Sequence, residues 1–223
     1  MNKSIELVAF DVAGTVISDD GLVVESFQRA FQNSEPELWE RKADELTQYA
    51  IETMGQSKIE VFTALIGNEV RAALALEAFE NAYFEIVSRS GVTPIAGAQA
   101  TIENLREVGI RVALTTGFSR KTLDLIIEKL GWRQLLDFTI TPQEAGGGRP
   151  SPAMLLKCAE ALSVSSPSMV VVLGDTMADM GAGTSYGAGQ VVGVLTGTHN
   201  ESQLRSAGAT SVIHSVADLK SLI

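Results

Sequence analysis

Cysteine, histidine and long apolar runs are scarce in this chain of 223 residues, which contains one cysteine and two histidines. A single cysteine cannot form a disulfide within the chain, and this usage is typical of the reducing cytoplasm, where we expect the protein to reside. The few histidines and the lone cysteine argue against a zinc site or a cysteine–histidine catalytic pair. No apolar run is long enough to cross a bilayer, and the sequence predicts neither a membrane span nor a signal peptide.

Positive charge is also scarce, because 27 acidic residues outnumber the 17 lysines and arginines and give a net charge of −10. This balance argues against nucleic acid or an anionic membrane as a partner. A small anionic substrate would instead need a metal ion or a few cationic groups concentrated at one site. The length allows one large domain, or a core with a smaller inserted one, and a homodimer is a possible assembly.

The order of apolar patterns along the chain predicts two kinds of structure. Residues 22–89 show only helical periodicity, whereas strands and helices alternate from residue 92 onward. The predicted strands are 7–10, 111–116, 136–140, 169–175, 190–196 and 210–214. Such alternation indicates an α/β fold with a doubly wound, Rossmann-like parallel sheet. We therefore predict a core of residues 1–17 and 92–223 with a helical cap, residues 18–91, inserted between its first two strands.

Polar residues follow several of these strands at the point where each strand ends. Asp11 follows the first strand, Thr116 of the TTG motif ends the second, and GDTMAD places Asp175 and Asp179 after the fourth. In parallel sheets, ligands bind beyond the carboxyl ends of the strands. Three aspartates in one crevice would require a cation, and an all-oxygen ligand set suits Mg²⁺. Arg149, in the loop GGGRPSP, would hold a phosphoryl oxygen there.

Four motifs in this order, DVAGT, TTG, the arginine of GGGRPSP and GDTMAD, resemble the haloacid dehalogenase superfamily. MGQSK, LTTGFSR and VVGVLTGTHN extend the likeness to its phosphonatase-like hydrolases, a group close to phosphonoacetaldehyde hydrolase. The resemblance implies that Asp11 is a nucleophile that accepts a phosphoryl group, with Thr116 and Arg149 binding that group. It implies a Mg²⁺ site formed by Asp11, the Ala13 carbonyl, Asp175 and Asp179. It also implies substrate-binding positions at Gly14, Thr15, Met54, Gly117 and Phe118.

Ala13 departs from the superfamily's phosphatases, which have a second aspartate two residues after the nucleophile. That acid protonates the departing group, and alanine has no proton to give. The segment MGQSKIE offers another means of activation, since Ser57 and Glu60 predict a capping box that places Lys58 in the first turn of a helix. The helix macrodipole disfavours an ammonium there, and a neutral amine can attack an aldehyde. The resemblance puts the imine-forming lysine of phosphonoacetaldehyde hydrolase at Lys58, with Met54 as its neighbour.

Three departures from phosphonoacetaldehyde hydrolase keep a second function open. Val61, Phe118 and Leu22 stand where that enzyme has histidine, tyrosine and cysteine. These changes alter the aldehyde pocket, so the alternative is a phosphomonoesterase, similar to phosphoglycolate phosphatase, that acts on a small phosphorylated metabolite. Ala13 would also suit an inactive phosphatase.

Other classes of protein fit the sequence less well. GTSYG, residues 183–187, matches a serine-hydrolase motif but lacks the strand that must precede it. A phospho-switch receiver domain has no use for a large helical insertion. Cys158 lies in an apolar helical pattern and is predicted to be a core residue. His199 is predicted to be an exposed loop residue.

Overall fold

The computed structural model describes residues 5–223, and a six-stranded sheet lies at its centre. Numbered along the chain, the strands are β1 (Leu7–Phe10), β2 (Arg111–Thr115), β3 (Phe138–Ile140), β4 (Val170–Gly174), β5 (Gln190–Val194) and β6 (Ser211–Ile213). All neighbouring strands are parallel, in the order β3-β2-β1-β4-β5-β6. The chain therefore winds outward from β1 in both directions, which confirms the predicted doubly wound α/β fold.

Helices account for nearly all of the chain between β1 and β2. They are α1 (Leu22–Ser34), α2 (Pro36–Glu52), α3 (Lys58–Ile66), α4 (Glu69–Ser90) and α5 (Ala98–Glu107). The later helices are α6 (Arg120–Leu130), α7 (Pro142–Ala145), α8 (Ala153–Ala161), α9 (Met177–Tyr186) and α10 (Glu201–Ser206). Within residues 5–223, none of these helices has the length and apolar character needed to span a membrane.

Strand β1 is buried on both faces, which explains why it is an uninterrupted apolar run. Leu7 and Ala9 belong to a cluster that includes Cys158 of α8. Val8 and Phe10 belong to the larger cluster on the opposite face. Because successive side chains of a strand point to opposite faces, an apolar residue is needed at every position of a strand covered on both sides.

Helices α1 to α4, which we call the helical segment, pack on one another around aromatic side chains. The rings of Phe27 and Phe62 are stacked, with centroids 5.0 Å apart, and Tyr83 lies 5.0 Å from Phe118, which follows β2. An antiparallel bridge between Ile17 and Pro94 brings together the two ends of this helical segment. The helices therefore lie over the carboxyl ends of β1 and β2, where they cover the candidate site.

Candidate active site

Three aspartates lie together beyond the carboxyl ends of β1 and β4. Asp11 follows β1 directly, Asp175 follows β4, and Asp179 lies in the first turn of α9. One carboxylate oxygen from each lies within 4.8 Å of the other two, and all three residues are buried. The strands that carry Asp11 and Asp175 are adjacent in the sheet, so their parallel register brings these acids together. Three buried carboxylates at this distance repel one another, and a divalent cation with oxygen ligands fits this arrangement.

Asp175 is held in place by hydrogen bonds from two other segments of the chain. It accepts hydrogen bonds from the Thr15 hydroxyl at 3.2 Å and from the Thr198 N–H at 2.8 Å. Burial, and then the negative charge of Asp11, raise the pKa of Asp175 above its ordinary value. A Cβ at Gly14 would lie 2.6 Å from an Asp175 oxygen, so only glycine permits this approach. The structure thus places Gly14 and Thr15 against Asp175, outside the residues that line the cavity described below.

Arg149 lies between the other two aspartates and is also buried. Its Nη1 atom is 2.6 Å from an Asp11 oxygen and also pairs with Asp179. Its Nε and Nη2 atoms are buried and have no hydrogen-bond partner among the described residues. Unpaired buried donors are costly, so these nitrogens are suited to binding an anion beside Asp11.

Asp179 has a second role at the start of α9. Its carboxylate accepts hydrogen bonds from the hydroxyl and the N–H of Thr176, at 2.5 and 3.1 Å, and Thr176 in turn caps α9. This capping box fixes the carboxylate against Arg149. Asp179 therefore orients Arg149 while it contributes negative charge to the cluster.

The segment after β2 supplies the opposite wall of the site. Thr116 is buried, and its hydroxyl oxygen accepts the Phe118 N–H at 3.1 Å, so the hydroxyl hydrogen points elsewhere. Gly117 contacts the helical segment, since its carbonyl accepts the Lys58 N–H at 3.4 Å. Thr116, Gly117 and Phe118 all line a cavity that also contains Asp11 and Ala13.

Lys58 is the first residue of α3 and is only 7% exposed. It lines the same cavity as Asp11 and Met54, as expected from the sequence. Burial, followed by the charge of Arg149, lowers the pKa of Lys58 from 10.5 to about 8. The predicted capping box is wrong, because the Ser57 side chain makes no capping hydrogen bond. Lys58 does lie in the first turn of α3, as predicted, and there the helix macrodipole acts in the same direction as burial and the neighbouring cation.

The cavity between the helical segment and the sheet has a volume of about 30 Å³, which is room for about one water molecule. A substrate larger than a water molecule would need more room, so we expect the helical segment to move when it binds. Sequence reasoning did not single out five residues that line the cavity, which are Asp19, Val23, Gly55, Thr176 and Thr198. Gly55, Thr176 and Thr198 lie within MGQSK, GDTMAD and VVGVLTGTHN, so these motifs could have pointed to them. Asp19, in the turn before α1, and Val23, in α1, belong to no recognisable motif.

The structure also tests the predictions made for three residues outside the four motifs. His199 is 6% exposed and its Nδ1 atom has no partner among the described residues, so its prediction as an exposed residue is wrong. Its loop folds back on β4, and the His199 N–H donates to the Asp175 carbonyl at 3.3 Å. Cys158 is fully buried, and burial raises the pKa of its thiol to about 12, as suits a core residue. Ser185 of GTSYG lies within α9, which excludes a strand-to-helix nucleophile turn there.

Comparisons with known proteins agree with this geometry. A sequence profile for haloacid dehalogenase-like hydrolases matches residues 5–187. The phosphonoacetaldehyde hydrolase of Bacillus cereus (strain G9842) is 32% identical over 215 residues, which cover 87% of this chain and 77% of that protein.

Two solved structures share the fold at lower identity. A phosphonoacetaldehyde hydrolase-like protein from Oleispira antarctica has a TM-score of 0.80 at 24% identity, covering 98% of this chain and 91% of that one. A predicted phosphoglycolate phosphatase from Haemophilus somnus also has a TM-score of 0.80, at 17% identity, covering 98% of this chain and 97% of that one. With its profile match, its relatives and its sheet-edge aspartates, the chain belongs to the haloacid dehalogenase-like hydrolases, and it is an enzyme of that family.

Proposed function

We propose that this hydrolase depends on Mg²⁺ and cleaves the carbon–phosphorus bond of phosphonoacetaldehyde or a related phosphonate. The observation that carries the proposal is the position of Lys58, a buried lysine with a lowered pKa in the same cavity as Asp11. A lysine that served only as a solvated charge on a helix surface would be exposed. The 32% identity to a phosphonoacetaldehyde hydrolase supports the same conclusion.

We propose that Asp11, the Ala13 carbonyl and Asp175 hold Mg²⁺, with Asp179 as their support. The donor set is all oxygen and buried, and the mutual repulsion of its carboxylates favours a cation, so these residues fit the ion. When bound, the ion neutralises part of the phosphoryl charge and polarises the phosphoryl oxygens. Asp175 is fixed in position by hydrogen bonds from the Thr15 hydroxyl and the Thr198 N–H, and by close packing against Gly14.

The chemistry begins at Lys58. Its neutral amine attacks the aldehyde carbon, the carbonyl oxygen leaves as water, and a protonated imine remains on the Lys58 nitrogen. Asp11 then attacks phosphorus while Arg149 and Thr116 bind the phosphoryl oxygens. The carbon–phosphorus bond breaks, and its electron pair flows into the imine to give a neutral enamine. Water hydrolyses the phosphorylated Asp11 to release phosphate, and proton return to carbon followed by imine hydrolysis releases the aldehyde product.

This route explains the residue at position 13. The departing carbon is stabilised as an enamine, so no acid is needed two residues after Asp11. Ala13 is compatible with this chemistry, whereas a phosphomonoesterase would need a proton donor for its alkoxide leaving group.

The test is chemical trapping of the imine. Borohydride added with phosphonoacetaldehyde and Mg²⁺ should inactivate the enzyme and leave a mass adduct on Lys58. Lys58→Arg should abolish adduct and turnover although the charge is kept, whereas Lys157→Arg, at an exposed lysine of α8, should change neither. The phosphomonoesterase alternative predicts brisk hydrolysis of phosphate monoesters, no adduct, and tolerance of Lys58→Arg. A homodimeric assembly and a cytoplasmic location stay predictions.

A further inference from the structure

Asp19 is a carboxylate in the cavity that neither the motifs nor the proposed mechanism uses. It lies in the turn between β1 and α1, is half-buried, and lines the cavity together with Lys58. Its Oδ1 atom accepts the Val23 N–H at 3.2 Å, and its carbonyl accepts the Leu22 N–H at 2.8 Å. The first turn of α1 therefore holds this carboxylate in a fixed orientation at the cavity wall.

Lys58 and Asp19 line the same cavity, and the charge of each affects the pKa of the other. Burial is the main cause that raises the pKa of Asp19, and it outweighs the opposing effects of the Val23 N–H and the Lys58 charge. The negative charge of Asp19 also helps to raise the pKa of Tyr83, although burial is the larger cause. A partly buried carboxyl with a raised pKa holds its proton more readily than an ordinary aspartate does, which suits it to proton exchange with a neighbouring group.

Few other groups on the cavity wall can serve that purpose. Among the described residues that line the cavity, the carboxyls are Asp11 and Asp19, and Asp11 is paired with Arg149. Val61, on the next turn of α3 after Lys58, is apolar and buried. Imine formation requires proton transfers to oxygen and from nitrogen, so a proton carrier beside the lysine would accelerate it.

We propose that Asp19 is the proton carrier for imine formation at Lys58, an inference that rests on the proposed function. As the neutral amine adds to the aldehyde, the Asp19 carboxyl gives its proton to the carbonyl oxygen and takes one from the new ammonium nitrogen. The resulting carbinolamine hydroxyl accepts this proton and leaves as water. The nitrogen lone pair then forms the carbon–nitrogen double bond, so the atoms and charges balance and Asp19 ends as a carboxylate.

The experiment measures the rate of adduct formation on Lys58 with borohydride and phosphonoacetaldehyde, in intact protein with Mg²⁺. Asp19→Asn should slow trapping about 100-fold, because the amide still accepts the Val23 N–H but carries no exchangeable acid proton. Asp19→Glu should restore part of the rate. Asp20→Asn is the matched control, because Asp20 is exposed and has a φ of 45°, a conformation that asparagine adopts readily. Its trapping rate should stay within about twofold of wild type if proton transfer is the property lost at Asp19.

Each alternative outcome has a defined meaning. Unchanged trapping in Asp19→Asn overturns the role of Asp19 and leaves the proposed function standing. Faster trapping also overturns it, since this is the result expected if Asp19 only stabilised the Lys58 ammonium. A wild-type protein that forms no adduct overturns the proposed function and this inference together. Circular dichroism of Asp19→Asn separates loss of the proton carrier from loss of fold.

Discussion

Lys58 and Arg149 are two buried cations that line one cavity, and the positive charge of Arg149 adds to the effect of burial in lowering the pKa of Lys58 to about 8. Asp11, Asp19 and Asp175 act in the opposite direction but do not cancel this effect. At neutral pH an appreciable fraction of Lys58 is therefore the free amine, which is the nucleophilic form.

The first prediction is a pH dependence of adduct formation. Because the pKa of Lys58 is about 8, the neutral fraction and the trapping rate should rise about tenfold from pH 6 to pH 7 and level off above pH 8. Cyanoborohydride allows the rate to be measured over this range by mass spectrometry. Exposed Lys157 serves as the internal reference for labelling of a surface lysine. Equal profiles for the two lysines would contradict a perturbed Lys58.

Asp11→Asn is predicted to abolish turnover and to preserve the fold. The amide is nearly isosteric, but it cannot attack phosphorus and is a weaker metal ligand. Phosphate release should fall at least about 1,000-fold while the circular dichroism spectrum stays unchanged. A purified variant that kept a tenth or so of wild-type activity would show that another group is the nucleophile.

The motion of the helical segment can be tested at Gly148. A Cβ there would lie 2.8 Å from the Ser57 Cβ, so Gly148→Ala should hold the loop before α3 away from the core. The control is Gly147→Ala, whose Cβ would meet its nearest neighbours at an ordinary 3.8 Å. We expect kcat to fall about tenfold or more in Gly148→Ala, because Lys58 no longer reaches the phosphoryl site, and to change little in Gly147→Ala. X-ray scattering should show a larger radius for Gly148→Ala, and identical profiles and rates would contradict closure at this contact.

The sheet was predictable because its strands are apolar on both faces and are separated by helical patterns. The first strand begins and ends where the sequence places it, whereas the predicted 136–140 is shorter in the structure, where β3 is Phe138–Ile140. The predicted strand 169–175 is also longer than the observed β4, Val170–Gly174, because Met169 ends a 3₁₀ turn and Asp175 lies beyond the last residue of the strand. Strand ends depend on the hydrogen bonds of neighbouring strands, which local periodicity does not contain.

The aspartates that follow strands could be predicted because their residue type and strand position carried the signal. Asp11 and Asp175 follow apolar strands, so their meeting follows from parallel pairing. The burial of His199 depends on a loop that folds back on Asp175, and no local pattern encodes it. Asp19 lines the cavity beside Lys58 and Arg149, which are distant in the sequence, so its position there is likewise a long-range property.

Removal and return of the metal provide a further prediction. EDTA should stop phosphate release and Mg²⁺ should restore it. Because Asp11 and Asp175 repel each other, Mg²⁺ should also raise the melting temperature by several degrees, and Asp175→Asn should remove most of that rise. Asp137→Asn, at an acid that accepts the Val112 N–H near the amino end of β2, should keep the full rise. Activity that survives exhaustive chelation would contradict a metal-dependent mechanism.

The last prediction concerns the stability cost of the buried lysine. Folding lowers the pKa of Lys58 from 10.5 to about 8, so the folded protein disfavours the charged form, and the cost is full below about pH 8 and fades as pH rises towards 10.5. The difference of about 2.5 between the two pKa values corresponds to about 3 kcal/mol as an upper limit. Lys58→Met should therefore be inactive yet more stable to urea at pH 7, with the gain shrinking at higher pH. Lys157→Met, at an exposed lysine, should show no such gain. A Lys58→Met variant less stable than wild type at pH 7 would mean that the surrounding aspartates pair with the ammonium favourably enough to outweigh its burial.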